Sequence, residues 1–221
     1  LPIVEDSCHA ILANKYGKIA GNFGDFGCFS MHPLKNLNVW GDGGFILVKK
    51  KKNYKKLMLL RNHGLVGRNR NLLFGYNSRL DTIQATVANE MLKKIKFITQ
   101  KRIYNAMIFD KHLSNIRGVS VIKRSKIAKE VFHLYEFRVD NQSKRNRLVS
   151  FLRNQKIDAK IHYPVPMHLQ PAAKKYGYKK GDFPMTELIA NTTISLPVHE
   201  FISKNQLKYV IQNIKNFFYE S

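Results

Sequence analysis

Three short apolar runs in the first fifty residues constrain the fold more than any other feature of this chain. Leu1-Pro2-Ile3-Val4 ends in the acids Glu5 and Asp6. Asp25 to Met31 alternates, and Gly44-Phe45-Ile46-Leu47-Val48 follows the turn cluster Gly41-Asp42-Gly43-Gly44. Each run has the length of a strand and is bounded by polar or glycine punctuation. They are apolar enough to need cover on both faces, as strands of a parallel sheet do. Such a strand delivers a side chain at its carboxyl end, which is where Asp6 stands. The runs predict strands over 1–5, 25–31 and 44–48 of an α/β sheet.

Helical spacing takes over downstream. Tyr54 to Arg61 reads as a helix with Tyr54, Leu57 and Leu60 on one side. Leu80, Ile83, Val87, Met91, Leu92 and Ile95 keep a helical period that extends past Lys101. Between them, 63–77 is rich in glycine and arginine and has no period, so it is expected to be a long, functional loop. Further on, 119–122 and 131–139 read as strands, 145–154 as a helix and 159–161 as a short strand. Leu207, Val210, Ile211, Ile214 and Phe217 mark a closing amphipathic helix. There is no internal repeat. A domain boundary is expected inside the long helix, near residue 98. Residues 1–98 would belong to a large α/β domain and 99–221 to a smaller α+β domain.

The chain has 221 residues, 44% hydrophobic and 24% charged, which excludes disordered, low-complexity and fibrous classes. No run approaches the roughly 18 apolar residues of a membrane-spanning helix. Cys8 and Cys28 are too few for a disulfide framework, and no signal peptide is visible, so a cytoplasmic location is expected. Opening on Leu1 in an apolar run, the chain reads as a piece of a longer protein. Its formal charge is +23, from 38 Lys+Arg against 15 Asp+Glu. A charge of that size raises the question of nucleic acid. The lysines are scattered, however, and there is no zinc-finger spacing, aromatic–basic string or basic heptad region. Nucleic-acid binding is not expected. Neither is a metal, because His32 and His63 have no ligand spacing with the cysteines.

Chemistry-bearing residues gather in a few strings. Asp6 and His9 lie in Glu5-Asp6-Ser7-Cys8-His9-Ala10. Ser30 and Lys35 lie in Phe29-Ser30-Met31-His32-Pro33-Leu34-Lys35-Asn36. Asn77 and Arg79 close the long loop in Gly75-Tyr76-Asn77-Ser78-Arg79-Leu80-Asp81, and His162 sits in His162-Tyr163-Pro164. Singly, each has an ordinary reading. A turn lysine is solvated, an acid at a strand end caps a helix, and Asn-Ser-Arg before a helix is a cap. Gly41–Gly44 lacks the spacing and the Lys-Ser/Thr ending of a phosphate loop.

Taken in order, the strings resemble the DegT–DnrJ–StrS family of pyridoxal-phosphate (PLP) sugar aminotransferases over nearly the whole chain. The family's Glu-Asp-Ala-Ala-His/Gln-Ala matches Glu5–Ala10, with Ser7 and Cys8 in place of two alanines. Its Gly-Asp-x-x-x-Phe-Ser-Phe-His-x-x-Lys matches Gly24–Lys35, with Met31 for the second Phe. Gly41–Gly44, Arg61-Asn62-His63-Gly64, Asn77–Asp81, His168-Leu169-Gln170-Pro171 and Gly181-Asp182-Phe183-Pro184 follow.

The resemblance implies a PLP-dependent transferase of fold type I, an α/β protein. The piece present would be the C-terminal part of the large domain plus the small domain, without the family's N-terminal phosphate-binding and ring-stacking elements. It implies that Lys35 forms the Schiff base and moves the proton, that Asp6 faces the pyridine nitrogen, and that His9 lies near the ring's 3-oxygen. It further implies that Ser30 binds the phosphate and that Asn77 reaches the cofactor of a neighbouring subunit, making a homodimer with shared sites. Arg79 and His162 would face the acceptor sugar nucleotide. The implied reaction is transamination of a nucleotide-linked keto sugar from an amino acid, glutamate by expectation, in amino-sugar synthesis for lipopolysaccharide or another surface glycan. A deoxysugar dehydratase of the same family is the alternative. That subgroup carries histidine for the Schiff-base lysine, so Lys35 speaks against it.

Overall fold

A computed structural model describes residues 1–219, arranged in two compact units. The first comprises Leu1–Gln100 and Ser125–His133, and the second comprises Lys101–Arg124 and the chain from Leu134 onward. The units are not contiguous in sequence, since 125–133 returns to the first.

The first unit runs through β1 (Val4–Asp6), the hairpin of β2 (Asn14–Lys15) and β3 (Lys18–Ile19), β4 (Phe26–Ser30), β5 (Gly44–Val48) and α1 (Lys51–Leu60). A hairpin of β6 (Leu65–Val66) and β7 (Arg70–Asn71) follows, then α2 (Thr82–Leu113), which passes into the second unit after Gln100. The second unit holds β8 (Val119–Val121). β9 (Ala128–Lys129) returns to the first unit to pair with β2. Then come β10 (Tyr135–Val139), α3 (Gln142–Asn154), α4 (Pro184–Thr192), β11 (Thr193–Leu196) and α5 (Lys204–Tyr219). No helix among the described residues is long and apolar enough to cross a membrane.

In the first unit β4 lies between β1, to which it is parallel, and β5, to which it is antiparallel. Met31, Leu37 and Val39, just beyond β4, pack with Ala88 and Ile95 of α2 and with the partly buried Phe45, Leu80 and Met91. Ile83 and Leu92, which the helical period grouped with that stripe, are exposed instead. They lie on a neighbouring face of the helix. The outer strands are also barer than their sequence predicts. Val4, Ile46 and Leu47 are 63%, 47% and 40% exposed, and both outer strands are edges of this sheet.

Two glycine approaches close the loops of this unit. A Cβ on Gly27 would meet the Gly21 backbone at 2.3 Å, so the segment before β4 folds flat on the strand. Gly64 has φ +74°, and a Cβ there would lie 1.7 Å from the Leu73 carbonyl oxygen. Only glycine tolerates both the left-handed backbone and that contact. The 63–77 segment is thus a folded loop with its own hairpin.

In the second unit α3 packs on β10 and β11 of the antiparallel sheet β8–β10–β11, α4 packs on β10, and α5 packs against α3. Tyr135, Phe137, Leu148, Leu152, Ile194, Leu207 and Ile214 are fully buried. Asn141 caps α3, its Oδ1 accepting the Lys144 N–H at 2.9 Å, as capping side chains do. The expected strand over 131–139 forms only from Tyr135, because Val131 turns back into the first unit. At 159–161 only a bridge between Lys160 and Ser195 forms. The pairing there belongs to β11, whose mixed Thr-Ile-Ser-Leu run gives no strong strand signal.

Candidate active site

Parallel pairing places the carboxyl ends of β1 and β4 at one rim of the sheet. Asp6, the last residue of β1, stands opposite Cys28, and Ser30 ends β4 two residues further on. The turn beyond is fixed by main-chain bonds. Met31 N–H donates to the Gly43 carbonyl (2.7 Å), Lys35 N–H to the His32 carbonyl (2.8 Å) and Val39 N–H to the Met31 carbonyl (3.1 Å). Side chains add to this. Ser30 Oγ accepts the His32 N–H at 3.2 Å, and His32 Nδ1 accepts the Leu34 N–H at 3.2 Å. Asn36 is buried and donates from Nδ2 to the Val131 carbonyl at 2.9 Å. Lys35 is held between a strand end and that anchor.

The charges at this rim bear on each other. Asp6 Oδ1 accepts the Cys8 backbone N–H at 3.1 Å. The Cys8 side chain and this backbone bond, with smaller help from His9 and Lys35, hold the Asp6 carboxyl below its ordinary range. Burial lowers the Lys35 ammonium, against the opposing pull of Cys8 and Asp6, so the neutral amine is more accessible than in an ordinary lysine. Burial, then Asp6, pushes the Cys8 thiol up to about 11, so it is a neutral thiol at neutral pH. The Cys8 sulfur lies 3.8 Å from the Cys28 carbonyl oxygen. His9 packs against His133, with ring centroids 4.2 Å apart.

These groups fit PLP by chemistry. Asp6 is an ionised, acceptor-only carboxylate suited to a protonated ring nitrogen. Lys35 is an amine suited to an aldehyde, and Ser30 is a hydroxyl that can donate to a phosphate. The structure brings Asp6, Ser30 and Lys35 to one rim. His9 acts on the Asp6 charge there, and the remaining expected residues have contacts of their own. Asn77 forms a β-bridge with Asn62, and the Ser78 N–H donates to the Arg61 carbonyl at 2.9 Å. Arg79 lines a cleft of about 580 Å³ with Tyr54, Met58, Arg61 and Val66. His162 belongs to the second unit, with Nδ1 2.9 Å from Ser195 Oγ. Two contributors were not singled out from sequence, Cys8 and Asn36. Cys8 stood out only as a replacement for alanine in the resembling motif. Asn36 gave the weak signal of a polar residue between Leu34 and Leu37.

Residues 1–215 match the model of the DegT/DnrJ/EryC1/StrS aminotransferase family. The chain belongs to this family. Among curated relatives, the "pleiotropic regulatory protein" of Geobacillus stearothermophilus is 33% identical over 99% of this chain and 58% of its own length. A dTDP-3-amino-3,4,6-trideoxy-alpha-D-glucose transaminase of Streptomyces venezuelae is 31% identical over 98% of this chain and 56% of that one. The crystal structure of S. venezuelae DesV, described as a complex with a ketimine intermediate, superposes with a TM-score of 0.94. It is 30% identical to this chain and is matched over 99% of this chain and 58% of its own. The fold is the PLP-dependent transferase fold type I, and PLP is the cofactor of the family. The chain spans a little under three-fifths of the length of these relatives.

Proposed function

We propose that this chain is the C-terminal part of a PLP-dependent aminotransferase that converts a nucleotide-linked keto sugar to the amino sugar, with an amino acid, glutamate, as donor. Residues 1–98 would belong to the cofactor-binding large domain and 99–221 to the small domain, in a cytoplasmic homodimer. One observation carries the reading: Asp6 ends β1, Lys35 lies in the turn that follows the parallel β4, and each charge acts on the other.

PLP, when bound, supplies an aldehyde for the lysine and a ring that takes up the electron pair left by proton removal. Asp6 would hold a proton on the ring nitrogen, since an ionised carboxylate stabilises that cation. Ser30 would donate its hydroxyl hydrogen to the phosphate, and His9 would lie beside the ring's 3-oxygen. Lys35 Nζ would take the proton from the donor's Cα and return it on the other side of the transfer, as general base and then acid. Burial lowers its ammonium, the direction that favours the first role. Asn77 would serve the neighbouring subunit's phosphate, and Arg79 and His162 would face the sugar nucleotide.

The test is Lys35→Ala in the full-length enzyme. Loss of the lysine-dependent visible band with PLP and loss of amino transfer from glutamate are the expected results. Turnover close to that of the unsubstituted enzyme would overturn the assignment.

A further inference from the structure

A line of polar groups crosses the sheet of the second unit. Glu136 on β10 stands directly opposite Ser195 on β11, and Ser195 is bridged on its other side by Lys160, two residues before His162. The side chains follow the same line. Ser195 Oγ lies 3.2 Å from Glu136 Oε1 and 2.9 Å from His162 Nδ1. Ser195 is only 3% exposed, so its hydroxyl is shielded from water and has these two neighbours to satisfy.

Counting protons along the line fixes its direction. Burial raises the Glu136 carboxyl, and the Ser195 hydroxyl opposes that rise by donating to it at Oε1. The ionised carboxylate can only accept, so in that state the single Ser195 hydrogen goes to Glu136. Ser195 Oγ is then an acceptor, and His162 must donate to it from Nδ1–H. A neutral imidazole carries one hydrogen, so Nε2 is left with a bare lone pair. This reverses the preference of a free histidine side chain in water, which holds its hydrogen on Nε2. The tautomer of a histidine is set by the hydrogen bond its other nitrogen makes.

We propose that Glu136, acting through Ser195, is a positioning residue that locks His162 in the Nδ1–H tautomer, so that Nε2 accepts a hydrogen bond from a hydroxyl of the sugar nucleotide. The substrate end of this inference rests on the proposed function. The relay itself does not. Burial lowers the His162 imidazolium, with Lys160 adding to it and Asp158 opposing, and this is the direction the lock requires.

The experiment reads the tautomer directly, by long-range proton–nitrogen NMR of the chain labelled with 15N at histidine, with the His162 signals assigned from their loss in His162→Asn. The expected result is an Nδ1-protonated, Nε2-bare ring at neutral pH. Ser195→Ala and Glu136→Ala should both return the ring to Nε2–H, whereas Ser195→Thr, which keeps a hydroxyl, should preserve the lock. An Nε2–H ring in the unsubstituted protein, or no change in Ser195→Ala, overturns the relay.

A second readout addresses the substrate end. In the full-length enzyme, Ser195→Ala should raise KM for the sugar nucleotide by about three- to tenfold, the scale of one neutral hydrogen bond. The rate of the half-reaction with the amino acid donor should not change. If the tautomer is as expected but neither Ser195→Ala nor His162→Asn moves that KM, the relay holds and the substrate contact assigned to His162 is wrong.

Discussion

Glu5 and Asp6 are neighbours on β1 whose carboxylates serve opposite sides of the strand. Glu5 accepts the Gly21 N–H at 2.8 Å and the Gly24 N–H, tying the loop before β4 to the strand. Asp6 accepts the Cys8 N–H at the strand's carboxyl end. Side chains alternate along a strand, so two consecutive acids cannot share a face. One builds the scaffold, and the other is left for chemistry.

That division predicts different outcomes for two similar substitutions. Asp6→Asn in the full-length enzyme keeps the size of the side chain but removes the charge proposed to hold the ring nitrogen protonated. The donor half-reaction should slow by roughly a hundred- to a thousandfold, the scale of losing one electrostatic partner in a site. Stopped-flow absorbance with glutamate measures it. A slowing of less than about threefold, well under 1 kcal/mol of barrier, would remove Asp6 from that role.

Glu5 should appear in stability instead. Burial acts to raise its carboxyl, but the N–H groups of Gly24, Gly21 and Phe23 outweigh it and hold the group below its ordinary range. A carboxyl lowered in the folded state adds stability that is fully present above its unfolded pKa. That stability is lost as the pH falls through the folded value. The melting temperature of the unsubstituted chain should therefore drop on acidification below the ordinary glutamate range. Glu5→Gln should begin lower at neutral pH and show a smaller acid-dependent drop. Parallel pH profiles of the two proteins would show Glu5 to be uninvolved.

Arg102 and Glu200 form a buried ion pair in the second unit, with Nε to Oε2 at 3.1 Å and side chains 9% and 8% exposed. Glu200→Ala leaves a buried guanidinium without its carboxylate, and should cost about 3 kcal/mol or more in chemical denaturation. Replacing both residues by apolar ones, Arg102→Met with Glu200→Leu, should recover most of that loss, because neither charge then remains to be desolvated. A double variant as unstable as Glu200→Ala would contradict this account.

How much of this was legible in the sequence depended on whether local pattern or distant pairing decided the outcome. The apolar runs at β1, β4 and β5 and the long period of α2 are local signals, and they placed Asp6 and Ser30 at strand ends. The site residues themselves came from ordered motifs, since neither Asp6 nor Lys35 stands out by type. What sequence did not reveal depends on non-local partners. Asn36 matters because the Val131 carbonyl, 95 residues away, receives its amide. Ser195 matters because β11 places it opposite Glu136, and β11 itself was not visible as a strand. The exposed flanks of β1 and β5 follow from cover that these residues do not supply.

Those flanks give a direct prediction. Leu1, Ile3, Val4, Ile46 and Leu47 are exposed apolar side chains on or beside edge strands. Contiguous apolar surface next to unpaired strand edges promotes association. The 221-residue chain alone should bind a hydrophobic dye and associate with rising concentration, and high salt should strengthen the effect by screening its +23 charge. A monomer that melts cooperatively and leaves the dye unbound would show that this surface is covered in solution.

The proposed sharing of sites between subunits makes the last prediction. Asn77 lies on the folded loop of the first unit, with no described contact to Asp6 or Lys35 of its own chain, and the resembling motif is the one expected to reach a neighbour's cofactor. If each full-length site takes Lys35 from one chain and Asn77 from the other, Lys35→Ala and Asn77→Ala homodimers are each impaired at both sites. A mixed dimer is different. One of its sites joins the intact Lys35 of the second variant to the intact Asn77 of the first, while its other site lacks both. Random exchange makes about half the dimers mixed, so roughly a quarter of the unsubstituted activity should return. Exchange can be verified independently by differently tagged subunits. If exchange is complete and activity stays at the average of the two variants, Asn77 acts within its own chain and the sites are not shared.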